Sequence, residues 1–96
     1  MGSKQEANKL ALYKRIDEIL YYEWDPIGVS DDNLARDEYQ SYLPRVFAYT
    51  IEGESIESIA KYLGIVRIES MGLSSNPEHD LKVARLIIES KKNISG

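Results

Sequence analysis

SIESIAKYLGIVRI (Ser55–Ile68) decides the fold class, because it holds the chain's best candidate strand inside its best candidate helix. Ile65-Val66-Arg67-Ile68 is rich in β-branched residues and would suit a strand. The surrounding stretch, however, repeats at Ile56, Ile59, Ala60, Leu63 and Val66, the i, i+3, i+4 spacing of one helical face. Ser55 offers an N-cap hydroxyl and Glu57 an acid for the first turn. Tyr62, Ile65 and Ile68 are read as widening the inner stripe, which makes this the most buried helix. Gly64 costs about 1 kcal/mol relative to Ala in a helix interior, and its presence points to close approach by another helix.

The same spacing extends in both directions. Upstream, Leu12, Ile16, Ile19 and Leu20 form a stripe with Tyr13 and Leu10 beside it, and the helix is expected to end near Tyr22 or Glu23. Ser3 and Glu6 have capping-box spacing, although Met1-Gly2-Ser3 also has the form of a cloning remnant. Asp25-Pro26 and Gly28 break the pattern, Pro26 biasing Asp25 towards an extended conformation, so residues 25–33 read as a structured loop held by Trp24. A second helix starts at Asp32 or Asp37 and runs to Ile51 through Tyr39, Tyr42, Leu43, Val46 and Phe47. Pro44 removes one helical hydrogen bond, so this helix is expected to kink, or to stop and restart there. Gly53 closes it. Gly72–Ser75 reads as a loop, and Asn76-Pro77-Glu78 is a helix start for a last segment carrying Leu81, Ala84, Ile87 and Ile88 and ending at Lys91 and Lys92. The expected fold is all-α, one single-domain bundle of four helices over residues 1–96.

At 96 residues the chain holds one core, and 43% hydrophobic with 29% charged residues is ordinary globular composition. With no cysteine, disulfides, thiolate metal sites and cysteine nucleophiles are excluded together. No apolar run approaches the roughly 20 residues of a membrane span, and no signal-peptide core is seen, so the expected setting is cytoplasmic and away from membranes. The net charge of −4 argues against a general nucleic-acid binder.

Charge placement says more than the total. Asp17, Glu18, Glu23, Asp25, Asp31, Asp32, Asp37 and Glu38 face one base, Arg36, within residues 17–38, a net −7 that leaves +3 elsewhere. Such a field steers cationic partners. Tyr21, Tyr22, Trp24, Tyr39 and Tyr42 lie in or beside the same window, and Tyr and Trp are common interface anchors. Trp24 also reads as a core residue, with Tyr39 and Tyr42 on an inner helix face. Consecutive Tyr21 and Tyr22 cannot both face inward, so one is expected at the surface. Catalytic sets are not found: His79 stands alone and reads as a solvated first-turn residue, the Asp25/Asp31/Asp32 run fails the EF-hand spacing, and nucleotide loops and HExxH are missing. No enzyme activity, metal or cofactor is expected.

Glu23-Trp24-Asp25-Pro26-Ile27-Gly28-Val29, followed by Asp37-Glu38-Tyr39-Gln40-Ser41-Tyr42 and then Met71-Gly72-Leu73, resembles a family of small bacterial helical proteins with a W-D-P-x-G-V turn. The likeness spans roughly residues 12–73 and carries no functional residues across. It implies a compact cytosolic protein without enzymatic activity, and some look-alikes act as immunity partners of toxins. The expectation is therefore a non-catalytic, immunity-type inhibitor of a cationic toxin domain, such as a nuclease with a basic cleft. Its binding surface would comprise Tyr21, Tyr22, Trp24, Asp25, Asp31, Asp32, Glu38 and Tyr39. The alternatives are a self-associating, homodimeric helical domain built on the tyrosines and the helix 55–68 stripe, and a small acid- or metal-dependent enzyme using the acidic loop.

Overall fold

A computed structural model describes residues 3–25 and 33–95. The architecture is all-α: α1 (Ser3–Glu18), α2 (Asn33–Ile51), α3 (Ile56–Ile65) and α4 (Pro77–Ser95). Two π-helical segments, Ile19–Trp24 and Val66–Ser70, continue α1 and α3 without a break. Ile65–Ile68, the strand candidate, is therefore helical, and no strand occurs among the described residues.

The local signals explain the boundaries. Ser55, with φ −72° and ψ 162°, accepts the Ser58 N–H at 3.1 Å and caps α3. Asn76 Oδ1 accepts the His79 N–H at 3.3 Å at the start of α4, with Pro77 in the first helical position, where its missing N–H costs nothing. Gly53 ends α2 at φ +82°, with Gly53 N–H bonded to the Thr50 carbonyl and Glu54 N–H to that of Tyr49, the paired bonds of a Schellman motif. At Pro44 the helix neither stops nor restarts. Pro44 and Gln40, whose carbonyl loses its partner, are both exposed, so water can take the orphaned acceptor.

Ring and side-chain pairs run in opposite order along α1 and α2 (Tyr13 with Phe47, Asp17 with Gln40, Trp24 with Tyr39), so the two helices are antiparallel. α3 and α4 form the most extensive helix pair. Gly64 faces α4: a side-chain carbon added there would lie 3.5 Å from Asp80 Oδ2, which supplies the close approach expected from the sequence. The core is a single cluster that includes Leu12, Ile16, Ile19, Leu20, Val46, Ile59, Leu63 and Ile87.

Two expectations are corrected. Ile65 and Ile68 do not widen the inner stripe, being 44% and 49% exposed. At about 100° per residue they lie roughly 160° and 140° around the helix from Leu63, on its outer side. The same count puts Arg67 inward, and it is buried. Asp25 is not extended: at φ 29° and ψ 59° it is left-handed, and its N–H bonds the Leu20 carbonyl at 3.1 Å. Asp tolerates this conformation better than most residues, and here it closes the first π segment.

Ile59→Ala should lower unfolding stability by about 2–5 kcal/mol, whereas Ile65→Ala should stay within about 0.5 kcal/mol of wild type. Chemical denaturation of both variants measures the contrast, and equal losses would put Ile65 in the core.

Candidate functional site

Trp24, the sole tryptophan, ends the first π segment with its indole in the core, 1% exposed. Burying an indole strands its N–H unless an acceptor meets it. Asp80, in the first turn of α4, provides one: Trp24 Nε1 donates to Asp80 Oδ1 at 3.0 Å. Arg67, from the second π segment, donates Nη2 to the same oxygen at 2.7 Å, and both side chains of this ion pair are buried. The Nε of Arg67 is buried with no hydrogen-bond partner. His79 lies 2.9 Å through Nε2 from the Trp24 carbonyl, so Nε2 carries the proton that this acceptor receives. Tyr39 packs its ring against the indole, centroids 5.7 Å apart, and donates its hydroxyl to Asp25 Oδ1 at 2.7 Å. The end of the first helix is thus fixed by α2 and by α4, whose Asp80 is held in turn by Arg67 of the second π segment.

This geometry redistributes the expected binding residues. Trp24 and Tyr39 are core residues, each burying its ring and giving its polar end an internal acceptor. Tyr21 is buried as well, its ring edge-on to Tyr22 at 4.7 Å. These three are corrected from contact residues to supports. Tyr22 is the exposed member of the pair, at 61%. Asp25 is half-buried, and Glu38 is exposed with the Tyr42 hydroxyl 3.5 Å away. Asp31, Asp32 and most of the expected loop lie outside the described residues.

The described acids do not all face one way. Asp17 meets Gln40 across the α1–α2 seam, with both carboxylate oxygens 3.5 Å from the amide nitrogen. Glu38 pairs with Tyr42 on the side of α2 that leads to α3. That second seam carries residues the sequence reading did not single out as binding residues. Tyr49 and Tyr62 meet edge-to-face at 5.5 Å, and a shallow groove of about 350 Å³ is lined there by Ser58, Lys61 and Ile65 with the two rings. The Tyr49 hydroxyl beside it raises the pKa of the Arg45 guanidinium. Burial raises the Tyr62 pKa above its usual 10.0, with Arg45 opposing.

His79 is corrected from a solvated residue to a half-buried one bonded to the chain at Trp24. Arg67 and Asp80 had a usable signal. Arg67 stands four residues after Leu63 and Asp80 four before Ala84, so opposite charges occupy inward positions on two helices that are neighbours in sequence. Among the described residues, no group of three or more His, Cys, Asp or Glu side chains could hold a metal ion. No described helix is long and apolar enough to cross a membrane. No protein-family model, curated protein or solved structure matches this chain.

Trp24→Phe keeps the ring and removes the donor, and should cost about 2 kcal/mol, the worth of a hydrogen bond to a charged group, measured by denaturant unfolding. The raised Tyr62 pKa means that the folded state holds the proton more tightly than the unfolded chain. Its contribution to stability is complete below pH 10 and is lost as the pH rises through the folded-state value. Tyr62→Phe should therefore lose less stability than wild type on passing above pH 10; an identical alkaline profile would contradict the assignment.

Proposed function

We propose that this chain is a non-catalytic protein-binding module, an immunity-type inhibitor that holds a cationic toxin domain through its acidic, tyrosine-bearing end. The observation that carries the reading is Tyr22, 61% exposed on a helix end whose other aromatics are locked into the core. A large aromatic presented on a rigid support loses little entropy on binding and suits an interface anchor. Glu18, one turn before it, and Glu23, beside it in the sequence, are exposed, so the anchor has two carboxylates for neighbours. Asp31 and Asp32 follow in the sequence and add to the same negative segment. The resemblance of the Trp24–Val29 motif to small bacterial helical proteins, some of them toxin partners, supports the same reading. Nucleases carry basic clefts because their substrates are anionic, and an acidic surface can fill such a cleft in the substrate's place.

A second reading, self-association, draws on Ile65 and Ile68, two large apolar side chains exposed one turn apart. Light scattering over a concentration series separates the two: a dimer abolished by Ile65→Ser with Ile68→Ser favours the second, and a monomer throughout favours the first.

The inhibitor reading predicts that immobilised chain captures a cationic protein whose binding weakens steeply with salt. Tyr22→Ala should weaken that complex by about 2 kcal/mol, about 30-fold in Kd. Glu18→Lys with Glu23→Lys should slow association and flatten its salt dependence. Unchanged association at low ionic strength in the charge-reversed protein would contradict the reading.

A further inference from the structure

Both hydrogen bonds to the Asp80 side chain fall on Oδ1, one from the Trp24 indole and one from the Arg67 guanidinium. Oδ2 accepts none among the described residues. The residue is only 2% exposed, and a carboxylate oxygen at that depth ordinarily meets a donor. A side-chain carbon built on Gly64 would stand 3.5 Å from Oδ2. Gly64 and Asp80 both line a groove of about 260 Å³ between α3 and the start of α4, with Ala60, Pro77 and Leu81 among its walls. Trp24 and Arg67 do not line it, so Oδ2 is the oxygen that Asp80 turns towards the groove. The glycine keeps that oxygen reachable. Alanine is the better helix former, and a methyl at 3.5 Å makes ordinary contact, but it would stand between Oδ2 and the groove.

We propose that this groove is a binding site for a small neutral aromatic molecule bearing one hydrogen-bond donor, of the phenol type. Its ring would lie against Ala60, Pro77 and Leu81, and its donor would reach Asp80 Oδ2. Apolar walls around a single polar group are the ordinary make-up of a ligand site. Charge selects the neutral form. Arg67 already balances Asp80, and Glu57 and Lys61, both exposed where they line the groove, offset one another. A cation would therefore bring a buried charge with no counter-charge left for it, and an anion would face a carboxylate. Size selects a single ring. An apolar cavity of about 150 Å³ holds benzene, and sites for drug-sized ligands begin near about 300 Å³, so 260 Å³ suits one ring with a short substituent. The site does not depend on the partner-binding reading, which places its surface at Tyr22.

The test is a titration of the ¹⁵N-labelled wild-type chain with phenol, followed by NMR. Trp24 is the sole tryptophan, so its indole N–H gives one resonance that reports on Asp80. The expected result is a saturable shift of that resonance together with the Gly64 and Leu81 amides, with a Kd of about 1 mM, the range open to a ligand of so few atoms. Anisole keeps the ring but has no donor, and should bind about tenfold more weakly or worse. Gly64→Ala should weaken phenol binding to a similar degree. The site is overturned by the lack of a saturable shift at these resonances, by equal affinity for phenol and anisole, or by undiminished binding to a folded Gly64→Ala variant. If that variant does not fold, the comparison of phenol with anisole on the wild-type chain decides alone.

Discussion

The carboxylate of Asp80 is where the bundle closes. It sits 2% exposed at the start of α4 and takes a hydrogen bond from the end of the first helix and an ion pair from the π segment that continues α3. Desolvating a carboxylate costs several kcal/mol, and an ion pair repays this only with good geometry and further hydrogen bonds. The indole N–H and the guanidinium both bond one oxygen, while Arg67 Nε stays without a partner. The helix N-terminus adds positive potential, since Asp80 lies in the first turn of α4. Removing Asp80 strands the indole N–H and the guanidinium together, and removing Arg67 leaves a buried carboxylate without its counter-charge.

The aromatic residues follow from this arrangement. Trp24 can be buried because Asp80 accepts its N–H, and Tyr39 can be buried because Asp25 accepts its hydroxyl. The left-handed turn at Asp25 places that carboxylate at the helix end, where the Tyr39 hydroxyl finds it. What remains for the surface is Tyr22 with its neighbouring acids on one side, and the Tyr49–Tyr62 seam with Arg45 on the other. Of the described acids in residues 17–38, Asp17 meets Gln40 on the α1–α2 seam whereas Glu38 lies beside Tyr42.

Much of the fold was legible in the sequence because its signals are local. The caps at Ser55 and Asn76, the stop at Gly53 and the helical stripes need only nearest turns to operate, and each forms as its residue types require. The site was less legible because it is assembled from residues 24, 39, 67, 79 and 80, and no local pattern records which of them meet. Trp24 and Tyr39 suit either a core or an interface, and only tertiary acceptors for their polar ends decide. Arg67 and Asp80 were visible in principle as charges at inward helical positions, but each also passes for an ordinary charge on a helix. The π segments leave no sequence mark that hydrophobic periodicity detects.

The most direct test of Asp80 as the closing point is a double-mutant cycle with Arg67, read by equilibrium unfolding of Arg67→Met, Asp80→Leu and the double variant. Breaking a buried pair from one side costs about 3–5 kcal/mol, while replacing both partners with apolar groups is far less costly. The account predicts that the double variant is more stable than the sum of the two single losses implies, by at least about 2 kcal/mol. Single losses that simply add would show that the two groups do not depend on one another, and would contradict it.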